Sequence, residues 1–259
     1  MSPVALHHVA DGPADAPVLL LGGSLGTTLA MWDPQVRALS AARRLIRFDH
    51  RGHGGSPAPE GPYTIAELGG DVIGVLDRLG IARADYAGVS IGGMVGQWLA
   101  IHAPERLGRL VVICSAPDTL NPDAFRERAR TVRAAGATEP IADAVVANWF
   151  TAPYAAAHPD VVAAHRRMIA ETPVEGYAGC CEAVATHDVV ADLGAVRAPT
   201  LVIAGAQDRA IPPAQGERIA AAIPGARFEL LDPGSHLASV ERAEEVNRLI
   251  IEHLEGSDG

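Results

Sequence analysis

Short apolar segments alternate with helical patterns along most of this chain, and the alternation constrains the fold more than any other sequence feature. Continuous apolar strands joined by helices are typical of a parallel sheet buried on both faces, with β–α–β units of one hand. We therefore predict an α/β fold with a mostly parallel sheet covered by helices on both sides. The predicted strands cover 18–21, 45–49, 84–88, 110–115, 200–204 and 227–231, and the helical patterns between them cover 65–79, 91–102, 213–223 and 240–254.

One long interval, from 118 to 188, interrupts this rhythm. It holds no convincing strand, and prolines break its Ala-rich helical patterns, which include 125–135 and 141–150. The interval begins where the carboxyl end of a strand should open onto a site, so a helical cap is favoured over additional surface helices. The predicted organisation is an α/β core formed by 1–117 and 189–259, with a helical cap at 118–188.

Composition and charge exclude several classes of protein. Hydrophobic residues make up 48% of the 259 residues, and the formal net charge is −10. A nucleic-acid-binding protein would carry a basic surface, so nucleic acid is not an expected partner. The apolar runs are far shorter than the roughly 18–20 residues that a membrane span needs, and the N-terminus lacks the pattern of a signal peptide. We expect a cytoplasmic protein that contacts no membrane.

The strongest chemical signal is the segment Gly88-Val89-Ser90-Ile91-Gly92, between a predicted strand and a predicted helix. In this position the serine falls on a sharp strand-to-helix turn, and the glycines let neighbouring segments approach closely. The turn would present the Ser90 hydroxyl at the carboxyl edge of the sheet, in front of the free N–H groups of a helix N-terminus. We predict that Ser90 is a catalytic nucleophile.

A serine nucleophile needs a base, and the base needs an acid that orients it. Of the ten histidines, His236 is favoured as the base because it follows a Pro-Gly turn after the last predicted strand. Asp208 follows the preceding strand and is favoured as the acid, since the order serine, aspartate, histidine then holds along the chain. Asp118, just beyond the strand at 110–115, is the alternative acid.

Acyl transfer also needs N–H donors that bind the oxyanion of the tetrahedral intermediate. The backbone N–H of Ile91, directly after the nucleophile, is one predicted donor. The loop Gly22-Gly23-Ser24-Leu25-Gly26, after the first long apolar strand, should supply the other. Ser24 is the first choice and Leu25 the second, and the Ser24 hydroxyl is also a candidate for substrate contact.

Asp49, His50 and His53 lie close together after the strand at 45–49, and this grouping suggests a metal site. A structural turn rich in glycine and arginine is favoured instead, because the sequence supplies no distant ligand of matching type. The glycine motifs that bind nucleotide phosphates and dinucleotides are absent. We expect no metal and no cofactor.

The predicted cap contains Trp149, in a chain of which only 4% is aromatic. This side chain is a candidate substrate-binding wall of the pocket, and a packing anchor between cap and core is the alternative. A negatively charged substrate would need a local cation, because the net charge of the chain does not attract it. Arg133, Arg166 and Arg167 are candidates in the cap, and the sequence singles out none of them.

These segments together resemble the α/β-hydrolase superfamily and, more narrowly, the 3-oxoadipate enol-lactonases. The resemblance spans nearly the whole chain. The nucleophile turn and the segment at 48–54 are features of the superfamily, and they say little about substrate. The segments that point to the lactonases are Ser24-Leu25-Gly26-Thr27, Gln97-Trp98-Leu99-Ala100 and Asn148-Trp149-Phe150. Many hydrolases carry His-Gly before the oxyanion loop, where this chain has Gly22-Gly23.

The resemblance implies an α/β-hydrolase fold and a catalytic triad at Ser90, Asp208 and His236. It implies a cofactor-independent serine hydrolase that opens 3-oxoadipate enol-lactone through an acyl-enzyme. A general carboxylesterase or a cofactor-free haloperoxidase-like enzyme with the same triad is the nearest alternative. A hydrolase-fold receptor with slow turnover is an alternative from another class. The implied partner is a small lactone or ester, and the sequence leaves open whether the chain forms a homo-oligomer.

Overall fold

A seven-stranded sheet forms the centre of the computed structural model, which describes residues 3–256. Its strands are β1 His8–Asp11, β2 Val18–Gly22, β3 Arg44–Phe48, β4 Ala84–Val89, β5 Leu107–Ile113, β6 Thr200–Gly205 and β7 Arg227–Leu231. They lie in the order β1-β3-β2-β4-β5-β6-β7. Only the pairing of β1 with β3 is antiparallel within this sheet of the described residues. The predicted α/β-hydrolase fold with a mostly parallel sheet is confirmed.

The core helices are α1 Asp33–Leu39, α2 Ile65–Arg78, α3 Ile91–His102, α9 Ala214–Ala222, α10 Ala238–Glu241 and α11 Ala243–Glu255. Every residue of β6 is buried. Because successive side chains of a strand point to opposite faces, both faces of the sheet must be covered at β6. No helix within residues 3–256 is both long enough and apolar enough to cross a membrane.

The interval between β5 and β6 is mainly helical, as the sequence predicts. Its helices are α4 Pro122–Ala135, α5 Glu139–Val146, α6 Ala152–Ala157, α7 Pro159–Ala170 and α8 Val174–Ala185. Pro153 and Pro159 lie in first turns, and Pro173 directly precedes α8. Proline is favoured there because first-turn N–H groups have no acceptor within the helix. An antiparallel bridge between Asp118 and Asp188 joins the two ends of the segment.

Two helices differ from the sequence prediction, and both differences involve the loop that carries His236. The helix predicted over 141–150 ends at Val146, and the chain then returns to the core, where the Trp149 carbonyl accepts the Leu237 N–H at 2.9 Å. The helix predicted over 240–254 is interrupted at Arg242, whose φ of −119° and ψ of 41° are not helical. The Arg242 guanidinium donates to the Pro233 carbonyl of the same loop.

The strand register brings the carboxyl ends of the parallel strands to one edge of the sheet. Gly22 lies opposite Gly88, and Gly205 lies opposite Leu231. Between these pairs, Val89 lies opposite Ile113 of β5. The loops that follow β2, β4, β6 and β7 therefore meet at this edge, although they are far apart in sequence.

Candidate active site

Ser90 lies between β4 and α3 with φ 57° and ψ −117°. A positive φ is uncommon for a residue with a side chain and stores backbone strain. The flanking glycines permit the turn: a Cβ on Gly88 would lie 2.2 Å from the carbonyl oxygen of Gly92, and one on Gly92 would lie 2.2 Å from that of Gly22. The backbone segments thus approach too closely for any other residue, and the strained turn holds Ser90 at the sheet edge.

His236 and Asp208 form a buried hydrogen-bonded pair. His236 Nδ1 lies 2.8 Å from Asp208 Oδ2, and the two side chains are 3% and 0% exposed. The other carboxylate oxygen, Oδ1, accepts the backbone N–H groups of Ala210 and Ile211, both at 2.8 Å. These bonds hold the carboxylate against the ring. With the proton on Nδ1, His236 Nε2 is available as a proton acceptor.

Asp118, the alternative acid, has a different partner. Its carboxylate oxygens accept Arg218 Nη1 and Nη2 at 2.8 and 2.9 Å, and these hydrogen bonds lower the pKa of Asp118. The geometry therefore supports Asp208 over Asp118 as the residue that orients His236.

Ser90 and His236 line the same cavity, which has a volume of about 270 Å³. Within residues 3–256 no hydrogen bond joins the two side chains, so proton transfer between them needs a closer approach than this structure shows. Residues from the core helices and loops and from the interval between β5 and β6 both contribute to the walls. The lining includes Ser24, Leu25 and Met94 from the core, and Phe125, Arg128, Trp149, Tyr177 and Val184 from the interval between β5 and β6.

The candidate oxyanion donors differ in whether another atom of the protein already accepts their backbone N–H. The Ser24 N–H donates to Met31 Sδ at 3.2 Å. Among the hydrogen bonds of residues 3–256, none uses the N–H of Leu25 or that of Ile91, the first residue of α3. The structure therefore favours Leu25, the second choice from the sequence, over Ser24 as the partner of Ile91, because a sulfur atom already accepts the Ser24 N–H.

Two buried histidines hold the loop at 22–26, a role that the sequence pattern did not reveal. His50 Nε2 donates to the Gly23 carbonyl at 3.1 Å. His53 Nε2 accepts the Gly26 N–H at 2.9 Å, while its Nδ1 lies 3.1 Å from the Arg51 carbonyl. Burial lowers the pKa of His50 to about 4 and also lowers that of His53. Both rings are therefore neutral at pH 7. The only sequence signal for this role is the position of the two histidines directly after β3.

Asp49, the third member of the suggested metal cluster, has a structural role. Its carboxylate accepts the N–H groups of Leu29 and Gly55 at 2.6 and 2.9 Å, and it lies 2.7 Å from His7 Nδ1. These contacts fix the turn after β3 to Leu29, which lies shortly before α1, and to His7, which directly precedes β1. No group of three or more His, Cys, Asp or Glu side chains within residues 3–256 is arranged to hold a metal ion.

Trp149 has features of both roles considered for it. Its side chain lines the cavity and is 3% exposed. Its ring meets that of His165 edge to face, with centroids 6.4 Å apart, and its carbonyl accepts the Leu237 N–H beside His236. Trp149 is thus both a wall of the cavity and a tie between the helical segment and the core.

None of the three cap arginines considered from the sequence lines this cavity. Arg133 pairs with Glu175 and Glu182, and Arg166 pairs with two further carboxylates. Arg167 is exposed. The arginines that do line the cavity are Arg128 and Arg209. The sequence did not single out Arg128, because α4 carries three further arginines, Arg126, Arg130 and Arg133.

The fold and this site define the class: the chain belongs to the α/β-hydrolase family, whose model, described as alpha/beta hydrolase fold, matches residues 16–243. 3-Oxoadipate enol-lactonase 2 of Acinetobacter baylyi is 41% identical over 247 residues, 95% of this chain and 92% of that protein. The crystal structure of the enol-lactonase from Burkholderia xenovorans LB400 has a TM-score of 0.95 at 42% identity, covering 98% of this chain and 97% of that chain.

A second kind of relative is also similar over nearly the full length. RutD of Variovorax paradoxus, named for carbamate hydrolysis, is 33% identical over 258 residues, with 96% of each chain covered. The family resemblance predicted from the sequence is confirmed.

Proposed function

We propose that this protein is a serine hydrolase that opens 3-oxoadipate enol-lactone to 3-oxoadipate through an acyl-enzyme on Ser90. One observation carries the proposal. Ser90, on its strained turn, lines the same cavity as His236, and His236 Nδ1 is hydrogen-bonded to Asp208. The choice of lactone is supported by two relatives named 3-oxoadipate enol-lactonase, at 41% and 36% identity.

In the first half of the proposed reaction, His236 Nε2 takes the proton of the Ser90 hydroxyl as Oγ attacks the lactone carbonyl. The carbonyl oxygen becomes an oxyanion that accepts the N–H groups of Leu25 and Ile91. Collapse of this intermediate breaks the ring C–O bond and forms the acyl-enzyme. The enol oxygen that leaves takes the proton from His236, stays tethered to the acyl chain and tautomerises to a ketone.

In the second half, water gives a proton to His236 and attacks the acyl carbon. A second oxyanion forms in the same place, and its collapse returns the proton to Ser90 and releases 3-oxoadipate. Asp208 holds the imidazole in the required orientation and stabilises the imidazolium that forms in both halves. The segment 118–188 acts as the cap, and Trp149 provides a wall that limits the shape of the substrate.

The test is the loss of ultraviolet absorbance of freshly prepared 3-oxoadipate enol-lactone, with wild-type protein and with Ser90→Ala. We expect rapid loss with the wild type and only the spontaneous rate with the variant. A Ser115→Ala protein, altered at a buried hydroxyl that donates to the Ser90 carbonyl, serves as a control for loss of a neighbouring serine.

A carbamate is the second candidate substrate, because RutD is similar at 33% identity. A general ester is the third. If the wild type leaves the lactone unchanged but releases p-nitrophenol from p-nitrophenyl acetate through Ser90, the triad stands and the lactonase assignment fails. Release of ammonia from a simple carbamate by the wild type, with no effect on the lactone, would assign the second candidate instead.

A further inference from the structure

The candidate active-site cavity contains an arginine whose charge is not neutralised. Arg128 on α4 is half-buried and lines the cavity. Its neighbours on the same helix, Arg126, Arg130 and Arg133, each pair with a carboxylate. No ion pair within residues 3–256 includes Arg128, whose guanidinium lies 5.2 Å from the centroid of the Phe125 ring. Its N–H donors therefore remain available to a ligand.

Asp118 and Arg209, two further charged side chains along the cavity, already have partners within the protein. Asp118 is paired with Arg218 on the core side. Arg209 is exposed, and its guanidinium donates to the carbonyl of Ala147. Of the two arginines among the described residues that line the cavity, Arg128 is the half-buried one, so its charge is less screened by solvent than that of Arg209.

A second donor lies beside it. Tyr177 on α8 lines the same cavity, and its side chain is fully buried. Within residues 3–256 no acceptor is in place for the hydroxyl proton, although the Arg128 guanidinium is close enough to interact with the hydroxyl oxygen. Burial raises the pKa of Tyr177, and the nearby charge of Arg128 opposes that rise. The hydroxyl therefore stays protonated at pH 7. A buried hydroxyl without an acceptor is unfavourable, so an acceptor on a ligand would satisfy it.

The packing places this pair next to the oxyanion loop. Helices α4 and α8 pack along each other, which brings Arg128 and Tyr177 to the same wall. A Cβ built on Gly26 would lie 3.1 Å from Tyr177 Cε2. The tyrosine ring thus lies against the loop that contains Leu25, and Tyr177 lines the same cavity as Ser90.

We propose that Arg128 and Tyr177 form an anion subsite that binds a carboxylate of the substrate, so that the enzyme selects lactones and esters carrying a second, ionised carboxyl group. This inference deepens the proposed function and rests on it. 3-Oxoadipate is a dicarboxylate, and its lactone uses one carboxyl group and leaves the other free. The planar guanidinium presents two parallel N–H donors to a carboxylate, and the tyrosine hydroxyl donates a third hydrogen bond.

The local cation matters because the whole chain carries a net charge of −10. An anionic substrate gains nothing from that overall field, so its attraction must come from inside the cavity. The subsite also orients the substrate, because it anchors the end of the molecule remote from the carbonyl that Ser90 attacks.

The test is the preference ratio, defined as kcat/KM for mono-p-nitrophenyl glutarate divided by kcat/KM for p-nitrophenyl pentanoate. The two esters share a leaving group and differ mainly in the terminal carboxylate. We expect Arg128→Gln to lower this ratio about 100-fold and Tyr177→Phe to lower it about 10-fold, as lost hydrogen bonds to a charged group predict. Arg130→Gln, on the same helix but exposed and paired with Glu127, should leave the ratio unchanged.

Equal losses on both esters in Arg128→Gln and Tyr177→Phe would overturn the subsite, since the residues would then only support the fold. If the wild type hydrolyses neither ester nor the lactone, the proposed function fails, and the subsite is tested separately by titration calorimetry with glutarate. Binding to the wild type that weakens at least tenfold in Arg128→Gln supports the subsite. Absence of glutarate binding to the wild type, or equal affinity for both proteins, overturns it.

Discussion

The Nε2 atom of His53 accepts the backbone N–H of Gly26 at 2.9 Å, although the two residues are 27 positions apart. This bond attaches the turn after β3 to the loop that supplies the Leu25 N–H. His50 binds the same loop at the Gly23 carbonyl. The segment that resembles a metal-binding cluster in sequence is thus a support for the oxyanion loop.

Replacing His53 with Phe should lower kcat more than it raises KM. An aromatic ring is kept at this position, but the Gly26 N–H loses its acceptor and the loop is no longer held in place. We expect kcat on the lactone to fall about 10- to 100-fold, less than the roughly 10²–10³-fold cost of removing an oxyanion donor outright, because the Leu25 N–H is displaced rather than lost. Steady-state kinetics with His102→Gln, a change at the exposed end of α3, provides the control. An unchanged kcat in His53→Phe would show that the bond has no part in catalysis.

Asp208→Asn should lower turnover by up to about 10⁴-fold, because an amide no longer holds the His236 proton on Nδ1. The loss should appear in kcat, with the melting temperature little changed. Asp118→Asn breaks only the contact with Arg218 and should cost less than about threefold. The opposite order of the two losses would make Asp118 the acid.

Gly88→Ala should destabilise the protein strongly, because its new Cβ would lie 2.2 Å from the Gly92 carbonyl oxygen. Backbone must move to make room, and that movement displaces Ser90. Gly70→Ala is the matched control: nothing lies within 4 Å of its Cβ, and it lies inside α2. It should stabilise the protein by about 0.5–1 kcal/mol. Urea unfolding measures both changes, and equal stabilities for the two variants would contradict the close approach.

Stability should fall as the pH is lowered from about 7 towards 5. Burial lowers the pKa values of His50 and His187 from 6.5 to about 4. Between these values the unfolded chain binds more protons than the folded one, so their contribution is fully present above pH 6.5 and is lost as the pH falls towards 4. Each histidine contributes a slope of up to about 1.4 kcal/mol per pH unit.

Urea unfolding at pH 7.5, 6.0 and 5.0 measures this slope. His187→Gln should reduce it, because one of the buried histidines with a lowered pKa no longer titrates. A free energy of unfolding that stays constant from pH 7.5 to 5.0 would show that these rings are protonated without cost in the folded protein.

The core of the fold could be predicted from local sequence patterns. Apolar runs of strand length alternate with amphipathic helical patterns, and α3 has the predicted bounds. The turn at Ser90 was also readable, because Gly88 and Gly92 flank it in sequence and the requirement for glycine is local. The order of Ser90, Asp208 and His236 along the chain, with each residue in the segment that follows a strand, was sufficient to propose the triad.

Other features were decided only by contacts between residues far apart in sequence. Ser24 and Leu25 are indistinguishable as donors until the packing of Met31 shows that its sulfur accepts the Ser24 N–H. Likewise, Arg128 and Arg133 lie on one helix, and only the packing of α4 against α8 shows which one meets Glu175 and Glu182 and which one faces the cavity. A local pattern specifies the backbone of a segment, whereas the partner of a side chain depends on how distant segments pack together.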